Sequence, residues 1–389
     1  MPHVYGLDAP AAALASAAAS LAHETAARCA GEVDAQARFP EEAIRALAQE
    51  GFFGLCVPAA LGGKGQGPRA FAAVVEELSQ GCASAAMVYV MHVSAAQAIA
   101  SSATLRDRDD VLRAIASGKH LTTLALSEKG SRSQFWAPVS KLEPDGNGGY
   151  VTSGYKSWVT SATYADSLVA SAQKPGAASP LESTLYLARK GAPGLRVAGR
   201  FDGLGLRGND SAPVAIEKLA VRKADLVTEP GAGPKTILEV ILPWFALGTA
   251  AMANGICRAA VTATAGHLSA TGFEHSGQGL RDLPTLRARL ARMSVRTEQS
   301  RALLGYTLGE VESPSETTPL YVLQTRHAAI EAAVDVTDLA MKACGGAAFS
   351  KHLPLERLFR DARAGWVMAP TVDHLEDFVG KALTGLPLF

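Results

Sequence analysis

The sequence predicts an α+β chain in which two helical regions flank a compact β region. Three observations carry this. Apolar residues recur at helical spacing up to about residue 120. Short runs of β-type residues, separated by turn clusters such as EPDGNGG and KPGAASP, occupy residues 121–228. Long helical patterns then return to the end of the chain. The expected domains are therefore 1–120, 121–228 and 229–389, an order of helices, strands and helices.

Taken in order, MPHVYGLDAPAAALASAAASLAHETAARC is Ala-rich but has no basic segment leading into an apolar core, so it reads as a helix rather than an export signal. PEEAIRALAQEGFF and RAFAAVVEELSQGCASAAMVYVMHVSAAQAIA are helical patterns divided by the Gly/Pro turn VPAALGGKGQG. LTTLALS, GGYVTSGYKSWVT, SLVASAQ, STLYLARK, GLRVAG and PVAIEKLAV are the expected strands. LRARLARMSVRTEQSRALLGYTL and QTRHAAIEAAVDVTDLAMKAC are long helices of the last region. The uncharged stretch VILPWFALGTAAMANGIC, Val240 to Cys257, sits at the lower limit of about 18 residues for a membrane span. Pro243, Thr249, Asn254 and its glycines dilute it, and it reads as a buried helix of a bundle.

The chain has 389 residues, 48% of them hydrophobic and 19% charged, which is a globular composition. Its 37 basic and 37 acidic residues cancel, so nothing pulls it electrostatically onto nucleic acid or an anionic membrane. The five cysteines are odd in number and form no C-x-x-C pair, which predicts reduced thiols, a cytoplasmic location and no zinc site. GLGLRG, Gly203 to Gly208, fits G-x-G-x-x-G, but a strand pattern follows it where a dinucleotide turn requires a helix. Asn209-Asp210-Ser211 is a glycosylation sequon by pattern alone. No H-E-x-x-H or G-x-S-x-G occurs, so metalloprotease and serine-hydrolase readings have no anchor.

Several separated segments, in matching order, resemble the acyl-CoA dehydrogenase family. PEEAIRALAQEGFFGLCVPAALGGKGQG is similar to the family's helix and Pro/Gly-Gly turn, and LALSEKGSRSQ to its T-E-P-G-x-G-S-D loop. GYVTSGYKSWVTSA resembles N-G-x-K-x-W-I-T, GLGLRGNDSAPVAIEKLAV the G-x-R-x-S/D-T turn and strand, and CGGAAFSKHLPLERLFRDAR the G-G-x-G-F…E-K-x-x-R-D-A segment. The resemblance implies an N-terminal helical domain, a central β-barrel-like domain and a C-terminal four-helix bundle, assembled as a homotetramer. It implies FAD as cofactor, with FMN or a borrowed reduced flavin as alternatives. Leu126 and Ser127 would meet the flavin's pyrimidine edge, Trp158 would flank the ring, and Thr160 would hydrogen-bond near N5. Gly345, Gly346 and Thr371 match positions near the ADP half; Ser133, with Lys129 and Arg132 beside it, matches the contact to the CoA arm. Tyr89 and His92 come from the helix that lines the acyl pocket in relatives.

Three departures stand out. The position of the catalytic Glu is Ala369, followed by Pro370, and the alternative position around Trp244 and Phe245 carries no carboxylate either. The Arg that grips a neighbour's FAD falls at Ala270 or Phe273, and the Gln before the Gly-Gly pair is Lys342. A placed general base is worth about 10²- to 10⁴-fold, so its loss leaves several chemistries open. Asp373 or His92 could serve as a displaced base for an acyl thioester, with an electron-transfer flavoprotein as partner. Reduced-flavin monooxygenation of a small substrate, served by a flavin reductase, is the alternative, and a desulfinase-like lyase or a non-enzymatic flavoprotein the lesser ones.

Overall fold

The structure, a computed structural model, describes residues 3–388. Asp8 starts the first helix by accepting a hydrogen bond from the Ala11 N–H at 2.8 Å, with Pro10 in the first turn, where its missing N–H costs nothing. Helix α1 (Ala9–Leu21) runs through a π turn at Ala22–Ala26 into α2 (Ala27–Gln36). Helices α3 (Glu41–Gln49), α4 (Pro68–Gly81), α5 (Ala83–Ala100) and α6 (Arg108–Ala116) complete the region. Helix α5 is buried on nearly every side, which explains its lack of a polar face.

The middle region contains β1 (Thr122–Ala125), β2 (Lys141–Pro144), β3 (Tyr150–Val159), β4 (Ser167–Gln173), β5 (Ser183–Arg189), β6 (Leu195–Val197) and β7 (Ala212–Val221). They form one sheet in the order β1-β4-β2-β3-β7-β6, with β5 pairing β4. Among the described residues no pairing joins β6 back to β1 or β5, so the sheet is an open half-barrel rather than a closed one. Strand β4 is buried along its whole length because its two faces serve two cores. Val169 packs into the helical core, while Leu168, Ala170 and Ala172 fill the half-barrel.

The last region opens with a short helix, α7 (Gly233–Thr236), which passes through a π turn at Ile237–Ile241 into α8 (Leu242–Ala270). Pro243 lies just past the π turn, where its missing N–H is accommodated. Helices α9 (Pro284–Glu312), α10 (Thr318–Phe349), α11 (Leu355–Val367) and α12 (Val372–Thr384) follow. Helix α10 breaks at Gly345, whose φ of 51° and ψ of −127° are open to glycine and strained for other residues. Ala83–Ala100 and Gly233–Ala270 are both long and apolar enough to cross a membrane by length and composition. Packing accounts for that composition: α8 lies against α4, α5, α9, α10 and α11.

The GLGLRG turn leads into β7, and its role is docking. A Cβ on Gly205 would lie 2.3 Å from the Arg360 carbonyl oxygen, so only glycine lets the turn touch α11. The Leu206 N–H donates to Asp361 Oδ1 at 2.6 Å, and Arg360 donates to the Leu204 carbonyl at 3.0 Å and to Asp34 at 2.5 and 2.9 Å. One turn thereby joins all three regions.

Gly205→Ala is expected to lower stability by about 1–3 kcal/mol, the usual cost of overpacking. A chemical-denaturation midpoint equal to the native one would show that the turn is not seated on α11.

Candidate active site

Residues after β1 cannot continue the sheet as a free strand, because the loop is pinned by a carboxylate. Glu128 and Lys156 form a buried pair at 2.5 Å, with side chains 2% and 0% exposed. Glu128 also accepts from the Val139 N–H at 2.6 Å, the Ser140 N–H at 2.8 Å and the Ser140 hydroxyl at 2.5 Å. Lys156 Nζ donates in addition to the Ser171 carbonyl at 2.6 Å. Burial pushes the Glu128 carboxyl up, but the Lys156 charge and the hydrogen-bond donors outweigh it and hold it below the ordinary carboxylate value. The loop consequently lies along β3, with the Ser157 N–H donating to the Ser127 carbonyl at 2.9 Å and the Lys129 N–H to the Tyr155 carbonyl at 3.0 Å.

This arrangement opens a cavity of about 710 Å³ between the half-barrel, α5, α8 and α11. Leu126, Ser127, Trp158 and Thr160 all line it. Trp158 leaves β3 with 66% of its surface exposed, its ring set edgewise to Phe201 at 6.4 Å. Thr160 is buried, and its hydroxyl lies 3.0 Å from that of Ser211, a further lining residue. Arg132 and Ser133 line the rim at φ values of 48° and 68°, an unusual consecutive left-handed pair that turns the loop over the cavity. Lys129, Arg360 and Arg363 add positive charge at the same rim.

The inner wall is apolar. Met87 and Met91, one helical turn apart on α5, face Phe245 and Met368 across it, and Ala369 completes it. Tyr89 and His92 lie on other faces of α5 and do not line the cavity. The Tyr89 hydroxyl donates to the Phe52 carbonyl at 2.9 Å. His92 Nδ1 accepts from the Thr122 N–H at 3.2 Å, which leaves Nε2 to donate to the Phe53 carbonyl at 3.3 Å. Burial lowers its pKa to about 4, so the ring is neutral and both nitrogens are occupied. Asp373 is exposed on the first turn of α12, outside the cavity. Glu128, already paired, is the one carboxylate among the described lining residues.

The remaining expected positions lie apart from the cavity. Gly345 and Gly346 are exposed at the break in α10, with open space where a Cβ would stand, and Thr371 caps α12. Lys342 pairs with Asp338 at 2.5 Å, and its carbonyl accepts from Arg289 at 2.9 Å. Ala270 ends α8, and Phe273 sits in a tight exposed loop where Gly272 pairs with Gly279.

Two features escaped the sequence reading. The Glu128–Lys156 pair had a legible signal, two opposite charges within runs that otherwise read as buried strand. Arg326 had none, because one Arg in a long helix reads as surface. It is 0% exposed; one nitrogen, Nη2, donates to the Met368 carbonyl at 2.9 Å, and the guanidinium carbon lies 4.7 Å from the centre of the Phe245 ring. Its Nε and Nη1 have no hydrogen-bond partner.

The chain matches three family descriptions in sequence: "Acyl-CoA dehydrogenase, N-terminal domain" over residues 10–119, "middle domain" over 123–219 and "C-terminal domain" over 231–383. It is 29% identical to the bovine mitochondrial short-chain specific acyl-CoA dehydrogenase over 335 residues, covering 86% of this chain and 80% of that one. It is 25% identical to the 3-(aryl)acrylate reductase of Clostridium sporogenes over 339 residues, covering 86% and 88%. The fold superposes on butyryl-CoA dehydrogenase from Megasphaera elsdenii with a TM-score of 0.92 at 22% identity, covering 97% and 99% of the two chains.

Glu128→Gln is expected to destabilise the protein by about 3–5 kcal/mol, because it strands the Lys156 ammonium in the interior. Glu128→Gln with Lys156→Met removes both charges and should recover much of that loss. Since the folded carboxyl titrates below its unfolded value, its contribution is present above the ordinary carboxylate pKa and is lost as pH falls through the lower folded value. Melting curves between neutral and acid pH test this. An unchanged acid limb in the double variant would remove the pair from that role.

Proposed function

The chain belongs to the acyl-CoA dehydrogenase family of FAD-dependent oxidoreductases, and from that premise we propose that it acts on an acyl thioester whose chain enters the apolar end of the cavity. The division of the cavity wall supports this reading. Hydroxyls and an open indole stand on the strand side, and thioether, aliphatic and phenyl groups on the helix side. The exposed faces of Trp158 and of Leu204, 66% and 65% accessible, form an apolar rim that fits a planar ring system.

FAD supplies a hydride acceptor when bound. Leu126 and Ser127 would hold its polar edge, Trp158 would cover a ring face and keep water away, and Thr160, oriented by Ser211, would present its hydroxyl. Gly345, Gly346 and Thr371 lie outside the cavity and are assigned to the nucleotide end. Ser133, Arg132 and Lys129 are assigned to the polar arm of the thioester, where cations and a hydroxyl can meet phosphate. Met87, Met91 and Phe245 sheath the acyl chain. Among the described residues no lining group is a free base: Ala369 is inert, Glu128 is neutralised by Lys156, and His92 and Asp373 stand elsewhere. Proton removal is thus the slow event, and electrons pass on to an electron-transfer flavoprotein.

Mixed anaerobically with saturated acyl-CoAs, the native holoprotein should bleach its flavin slowly. Ala369→Glu, made together with Pro370→Gly to free the side chain, should accelerate bleaching by at least ~10²-fold for some member of the series. Fast native bleaching would point to a base supplied from outside this cavity wall. No response in either protein, with oxygen consumed when reduced flavin is supplied by a reductase, would replace this reading with monooxygenation.

Assembly is proposed as a homotetramer. Phe349, Val367 and Leu383 expose 82%, 72% and 67% of their surface on the C-terminal helices, an apolar excess that a second copy would cover. Light scattering should return four times the chain mass for the flavin-loaded protein. A monomer that retains flavin sinks the proposal.

A further inference from the structure

A guanidinium buried to 0% exposure with two unpartnered nitrogens is costly, and natural chains keep one where something else completes it. Arg326 has no ion pair among the described residues. Burial alone displaces its pKa, down to about 9, with no carboxylate close enough to offset the loss of water. The group therefore remains a cation at neutral pH.

Its position gives the cation a use. Its one satisfied nitrogen holds the Met368 carbonyl, at the C-terminal end of α11 and directly before Ala369. Its flat face covers Phe245. Phe245, Met368 and Ala369 all line the inner wall, so the charge stands just behind the surface that an acyl chain reaches. The described lining there is apolar; Arg326 is not itself a lining residue but stands behind Phe245 and Met368, so an anion that displaces the Met368 side chain would reach it. Met368 is unbranched and half-buried, a side chain able to yield to a ligand atom.

We propose that Arg326 is a specificity-determining residue that selects acyl groups carrying a carboxylate at the end that reaches the Met368–Ala369 wall. The chain's own carboxylate is missing at 369 and a cation without a counter-ion lies beside it; the substrate brings the complementary charge. The substrate class is the thioester of a dicarboxylic acid. This rests on the acyl-thioester reading and deepens it.

The test compares ligands matched in length and differing in charge. Glutaryl-CoA and valeryl-CoA are titrated by calorimetry into flavin-loaded protein, and glutarate and glutaramide are titrated separately. Native protein should bind glutaryl-CoA at least ~10-fold more tightly than valeryl-CoA, the low end for a charge-assisted contact. Arg326→Met should abolish the preference, and Arg326→Lys should retain part of it. Should Arg326→Met fail to fold, the Lys variant and the native comparison still decide. Equal affinities for the two thioesters in native protein would overturn the inference and leave the thioester reading standing. If neither thioester binds but glutarate binds in an Arg326-dependent way, the cation site stands and the thioester reading falls. If nothing binds, both fall.

Discussion

The buried pair of Glu128 and Lys156 is the constraint on which the rest of the site depends. Lys156 belongs to β3 and Glu128 to the loop after β1, so their contact sets how far that loop stands from the sheet. Desolvating two charges is expensive, and this pair is viable because Glu128 collects three further donors and Lys156 a carbonyl. The geometry is therefore specified closely. It holds Ser127 against Ser157, next to Trp158, and the loop goes on through the left-handed pair Arg132 and Ser133 along the cavity. An apolar pair could be as stable, yet it would not fix the loop with four directional contacts.

The cavity itself exists because three regions meet at one turn. Gly205 lets the half-barrel touch the Arg360 backbone, Asp361 accepts from Leu206, and Arg360 reaches back to Asp34 in α2. These contacts bring α11 against the half-barrel while α5 and α8 close the far side. The resulting walls differ in character by origin. The strand side supplies hydroxyls and backbone because strand ends expose them, and the helix side supplies thioether and aromatic groups because α5 and the first half of α8, from Phe245 to Cys257, are buried.

Electrostatically the inner wall is inverted relative to what a carboxylate base would create. Ala369 removes a negative charge, and Arg326 leaves a positive one behind the same surface. In a medium of low dielectric, an unbalanced cation is felt over several ångströms. Among the described residues such a wall carries no free base, and its charge is complementary to a ligand that brings its own anion.

By itself the sequence determined the architecture, because periodicity and punctuation are local properties of the chain. Three-residue-and-four spacing, alternating runs and Gly/Pro clusters each act within a few residues, and they placed the helix–strand–helix order. The family resemblance also marked Leu126, Ser127, Trp158 and Thr160, which the fold brings to one cavity because the loop after β1 lies along the end of β3. The face of a fully apolar helix was not legible, because α5 has no polar side to orient it. Only packing decided that Met87 and Met91, rather than Tyr89 and His92, reach the cavity. Burial of Arg326 was equally invisible: a lone cation in a helix carries no sign of its partners, and it took α8 and α11 closing over α10 to strip it of water.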